Sequence, residues 1–152
     1  MSLLSTVVAF IVALGVLIVV HELGHYTVAR LCGVRVLRFS VGFGRTIWSR
    51  RFKVDGTEWA IAALPLGGYV KMVDEREGEV ASEDLPYAFN RKGVGRRFAI
   101  VAAGPLANFI LAIVLYWALF MSGVPDAKPM IASPEIGTPA AAAGLVRGDT
   151  IL

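Results

Sequence analysis

Two stretches of this chain hold no charged residue at all: Leu3 to Val20, eighteen residues, and Phe98 to Met121, twenty-four residues. At about 1.5 Å of rise per residue, a helix over either run is long enough to cross a hydrocarbon layer about 30 Å thick. A 152-residue chain that is 56% hydrophobic also carries more apolar surface than one soluble core of that size takes in. The pattern predicts a membrane protein, mainly α, with two transmembrane helices. A cleaved secretory signal fits the first run poorly, because no basic segment precedes Leu3 and no small-x-small site follows Val20.

The basic residues orient these helices. Thirteen of the fifteen Lys and Arg residues fall between Tyr26 and Arg97, in the span that joins the two apolar runs. The positive-inside tendency therefore predicts that residues 26–97 are cytoplasmic and that both ends of the chain lie across the bilayer. The formal net charge of +3 reads as a topology signal, and no basic and aromatic module of the kind that binds nucleic acid is present. The single cysteine, Cys32, excludes an internal disulfide.

Four regions follow. Residues 1–31 form the first transmembrane helix, with Gly33 as its stop signal. Residues 32–97 form a connecting loop with a small, mostly antiparallel β element over 34–73, interrupted at Pro65 and at Gly67-Gly68. Asp55-Gly56 predicts a two-residue hairpin turn, because glycine accepts the positive φ that such a turn requires. The acidic run Asp74 to Asp84 predicts a solvated loop. Residues 98–122 form the second transmembrane helix, opening after Arg96 and Arg97, with Gly104-Pro105 expected to kink or unwind it. Asn108 then places an amide at membrane depth, either as a packing contact between helices or as part of a polar site. In residues 123–152, Thr138 reads as an N-cap with Pro139 behind it, a short alanine helix ends at Gly144, and a strand begins near Thr150. About 25 residues cannot close a core, so this end is expected to be part of a larger unit.

The chemistry is concentrated in VVHELGHYTV, at the end of the first apolar run. His21 and His25 are the only histidines, and they lie four residues apart. On a helix that spacing puts both imidazoles on one face, about 40° apart and about 6 Å apart along the axis, where both can reach one Zn²⁺. Glu22 lies about 100° around from His21, beside such a metal, where it can act as general base. Cys32 is about 10.5 Å further along the axis than His25 and is too far to share the ion. A hydrolytic zinc normally has three protein ligands. The third is expected from an Asp or Glu of the loop or from outside these 152 residues.

VHELGH closing a first membrane helix, FSVGFG and LPLGGYVKM in the loop, and AGPLANF in a second membrane helix together resemble the site-2 proteases, a family of intramembrane zinc metalloproteases. The resemblance runs through the whole chain and ends in what looks like the start of a PDZ-like domain. It implies a zinc-dependent endopeptidase of the bacterial inner membrane that makes the second cut in membrane-spanning substrates, such as a trimmed anti-sigma factor. It further implies that His21 and His25 bind zinc, that Glu22 is catalytic, and that the loop with Gly67 and Gly68 positions an extended substrate by strand addition, with Asn108 nearby. The family draws its third zinc ligand, an Asp, from a later membrane helix, so these residues alone are expected to be inactive. A membrane scaffold that binds partners through a PDZ-like module, with a non-catalytic metal, is the alternative. The sequence leaves the oligomeric state open.

Overall fold

The computed structural model describes residues 2–52, 55–123 and 130–150. By contact density the chain divides into two units, Met1–Leu115 and Tyr116–Leu152.

Helix α1 spans Leu3–Leu31. Ser2 caps it, its hydroxyl accepting the Ser5 amide at 3.2 Å and so satisfying one of the orphan N–H groups of the first turn. Gly33, at φ 71°, turns the chain out of the helix in the left-handed region that glycine tolerates. The first five turns of α1 leave large apolar side chains exposed, among them Leu4, Phe10 and Val12, as expected of a helix whose surroundings are lipid. Two helices among the described residues, α1 and Val94–Met121, are long and apolar enough to cross a membrane.

Strands β1 (Val36–Arg51) and β2 (Glu58–Met72) form one antiparallel two-stranded sheet, but each is bent at its middle. The first part of β1 therefore has β2 on both sides: Phe39 faces Val70 across one edge and Trp59 across the other. Along the Val70 edge the partners descend, from Arg38–Lys71 to Val41–Gly68. Along the Trp59 edge they ascend, from Arg38–Glu58 to Val41–Ile61, which is locally a parallel sense. The later part of β1 closes an outer hairpin on β2, from Trp48–Ile61 to Arg51–Glu58.

Three expectations are corrected here. β2 is not interrupted at Pro65 or Gly67-Gly68; these residues sit where the register changes along one continuous strand, so they bend the sheet instead of ending it. The turn between the strands is wider than two residues: the Phe52 amide donates to the Thr57 carbonyl, and the Gly56 amide, at φ 74°, donates back to Phe52. The acidic loop is not wholly solvated either. Asp74 is only 9% exposed, and its carboxylate takes the Arg76 guanidinium at 2.9 Å.

Helix α2 runs Val94–Met121, one turn earlier than the apolar run, with Arg96 and Arg97 inside it. Helical hydrogen bonding does not require apolar side chains, and the Arg97 amide already bonds the Gly93 carbonyl. The helix continues through Pro105 without unwinding. Gly24 of α1 lets α2 come close, since a Cβ there would stand 2.8 Å from that of Ala107. The end of α1, the two strands and the start of α2 share a core of Ala29, Val34, Val36 and Ile100, flanked by Tyr26, Val70, Met72 and Phe89. Burying a side chain the size of Ile100 stabilises the fold by about 1.5–3 kcal/mol.

In the second unit Thr138 caps the short helix α3 (Pro139–Ala142), as the sequence predicts. Near the end of the chain Met130 and Thr150 form an isolated antiparallel bridge. The expected strand beyond Thr150, and the stretch 124–129, lie outside the described residues.

Candidate metal and catalytic site

The HELGH segment lies well inside α1, so its side chains are placed by helical geometry, and two stripes result. His21 and His25 face α2, whereas Glu22 and Tyr26, also four apart, face the sheet.

On the first stripe the two imidazoles converge. Their Nε2 atoms are 3.2 Å apart and their rings meet edge to face. His25 Nδ1 lies 2.7 Å from the Ile100 carbonyl of α2, the only role open to it there being donor. That bond fixes the tautomer with the lone pair on Nε2, the form that binds a metal. Gly104, buried one turn beyond Ile100, faces the same nitrogens: a Cβ at 104 would stand no more than 2.7 Å from Nε2 of either histidine. The missing side chain leaves a cradle open towards both Nε2 atoms.

The spacing of the two nitrogens suits zinc. Two nitrogens bound at about 2.0–2.1 Å and at a tetrahedral angle lie about 3.3 Å apart, close to the separation seen. Among the described residues no third His, Cys, Asp or Glu joins the pair. Cys32 sits at the C-terminal cap of α1.

On the second stripe Glu22 is 8% exposed and its stem packs on β2: a Cβ at Gly68 would come within 2.8 Å of Glu22 Cγ and 3.2 Å of Ile18. Gly68 thus lets the 67–72 segment approach the candidate base. Gly67 is also held close, against the ring of Phe43, with Cζ 2.9 Å from where its Cβ would be. Asn108 follows Gly104 by one turn on the same side of α2, and its Oδ1 is buried with no hydrogen-bond partner among the described residues. Gly104 and Ile100 are the residues that motif reading missed. Gly104 reads in the sequence only as half of a Gly-Pro break, and a backbone carbonyl leaves no mark in a sequence at all.

The sequence profile of peptidase family M50 matches residues 9–147. The chain is 54% identical over 148 residues to a putative zinc metalloprotease of Neisseria meningitidis, covering 97% of this chain and 33% of that protein. Over the same shares it is 55% identical to the regulator of sigma-E protease of Escherichia coli K12. A putative zinc metalloprotease of Vibrio cholerae is 51% identical over 147 residues, 97% of this chain and 32% of that protein. The chain spans about a third of the length of these curated relatives. Its match to the family profile, carried along nearly its whole length, shows that this chain belongs to peptidase family M50, the site-2 proteases.

Proposed function

We propose that these residues supply the first part of the active site of a zinc-dependent intramembrane endopeptidase. The observation that carries the reading is the convergence of His21 and His25 Nε2 on the space left open by Gly104, with His25 Nδ1 tied to α2. The two histidines hold zinc through Nε2, and the third ligand comes from a part of the protein outside these residues. Zinc held there supplies a Lewis acid that makes water a nucleophile near neutral pH. Glu22 takes the proton of the attacking water on a carboxylate oxygen and passes it to the leaving amine. Its packing on Gly68 keeps that carboxylate at the sheet side of the histidine pair.

A peptide bond in a helix has its amide and carbonyl engaged, so the substrate must be extended to be cut. The 67–72 segment has ladder partners only from β1 among the described residues, which leaves its other edge free to take an added strand beside Glu22. Gly67 and Gly68 keep that edge clear, and the unpartnered Asn108 Oδ1 provides an acceptor one turn from the cradle. The substrate class is a single membrane span already trimmed on its far side, such as an anti-sigma factor. Residues 26–97 lie on the cytoplasmic side of the bacterial inner membrane, and residues 123–152 begin a PDZ-like domain on the other.

Cleavage of a trimmed single-span substrate by the full-length protein, with Glu22 intact or changed to Gln, tests this reading. The expected result is loss of cleavage with zinc retained. Undiminished cleavage by Glu22→Gln removes the general-base role.

A further inference from the structure

Glu22 and Tyr26 share the face of α1 that meets the sheet, and Tyr26 makes a contact that the catalytic reading does not use. Its hydroxyl donates to Asp55 Oδ2 at 2.6 Å, reaching from the helix to the turn that joins the outer strands. The Asp55 carboxylate is built into that turn: Oδ1 accepts the Thr57 amide at 3.2 Å, and Oδ2 lies 2.8 Å from the Thr57 hydroxyl. That hydroxyl is also 3.1 Å from the Val36 carbonyl, where β1 begins, and Thr57 is fully buried. Partial burial pushes the Asp55 carboxyl upward, but the bonds from Tyr26 and Thr57 outweigh this and hold it below the usual carboxylate range. A charged acceptor makes these bonds stronger than neutral ones.

The ring of Tyr26 packs edge-on against Phe39, 5.9 Å between centroids, and against Trp59 at 5.3 Å. Phe39 is paired in the sheet with Val70 of the 67–72 segment, whose Gly68 rests on Glu22 one turn earlier on α1. The sheet therefore meets the catalytic helix at two points on one stripe, Gly68 at Glu22 and the Asp55 turn at Tyr26. The first is bare van der Waals approach, and the second carries the hydrogen bonds.

We infer that Tyr26 and Asp55 are positioning residues: their bond latches the sheet to α1 and so sets where a strand added at 67–72 lies relative to Glu22. This rests on the peptidase reading above. Because a misplacement of about 1 Å costs about 100-fold in rate, a loosened latch lowers turnover more than it weakens peptide binding.

The test uses the full-length protein and Tyr26→Phe, which removes one oxygen and keeps the ring, together with Asp55→Ala. Amide exchange over 58–72 is expected to quicken by about tenfold in Tyr26→Phe, the scale of one charge-assisted hydrogen bond, and by at least as much in Asp55→Ala, which also loses the Thr57 contacts. On a single-span substrate kcat is expected to fall about tenfold with KM within about twofold and zinc content unchanged. Adding Tyr26→Phe to Asp55→Ala is expected to change kcat by less than about twofold, since the pair acts as one unit. Unchanged exchange in Tyr26→Phe overturns the latch, and faster exchange with kcat unaltered overturns its positioning role. Glu22→Gln, run alongside, separates the two claims. If that variant cleaves, the peptidase reading fails, while exchange still decides whether the hydroxyl holds the sheet.

Discussion

Replacing Gly104 by Ala adds one methyl group at the point where α2 faces the histidine pair. Its Cβ would stand no more than 2.7 Å from both Nε2 atoms, far inside the distance at which carbon and nitrogen make contact, and its backbone is buried against α1. Either α2 must retreat, which breaks the 2.7 Å bond from His25 Nδ1 to Ile100, or the imidazoles must rotate apart. Losing the partner that orients a ligating histidine costs about 10–100-fold in metal affinity, and the methyl group also fills the space the ion needs. The expected loss of zinc affinity is thus about 100-fold or more, read by competition with a chelating dye and by metal content after gel filtration. Helix propensity works in the opposite direction, since Ala in place of Gly stabilises a helix interior by about 0.5–1 kcal/mol. Gly15→Ala is the matched control: nothing lies within 4 Å of its Cβ, so zinc binding is expected to be unchanged. Wild-type zinc affinity in Gly104→Ala would refute the placement of the metal against α2.

Gly68→Ala would put a Cβ 2.8 Å from Glu22 Cγ and 2.7 Å from the Ser40 carbonyl; the expected result is retained zinc with cleavage reduced by about tenfold or more, measured on a single-span substrate. Gly24→Leu forces α1 and α2 apart at Ala107, and is expected to cost about 1–3 kcal/mol of stability and lower zinc content, read by thermal denaturation and metal analysis. Glu75 is held down to about 2 by the Arg91 guanidinium and the Asn90 amide. A carboxylate depressed in the folded state stabilises it above its ordinary value of 4.5 and loses that contribution as pH falls through about 2. The tie between Glu75 and Arg91 is therefore expected to survive at pH 4, and a Glu75 carboxyl-carbon titration with a midpoint near 4.5 would contradict it.

Much of the site was legible because helices are local. The spacing of His21 and His25, with Glu22 between them, fixes which side chains share a face, and α1 needs nothing distant to set that. What the motif does not carry is the partner of each face. That Gly104 faces both imidazoles and Gly68 admits the sheet depends on tertiary approach, which a lone glycine does not distinguish from a helix break or a strand interruption. The sheet was foreseen in extent but not in form, since Arg38–Val41 pairs on both sides only because β2 bends back at Pro65 to Gly68. Hydropathy does not show the early start of α2, because it marks where lipid begins, not where helical hydrogen bonding does. The Asp55-Gly56 pair marks the turn but not its width, which depends on the cross-strand bond from Phe52 to Thr57.

Zinc K-edge absorption on the full-length protein bears most directly on the central claim, that His21 and His25 present two Nε2 ligands to one zinc beside Glu22. Two imidazole nitrogens per zinc at about 2.0–2.1 Å are predicted, falling to one in His21→Ala and remaining two in Glu22→Gln. An imidazole count unchanged by His21→Ala, or lowered by Glu22→Gln, would contradict it.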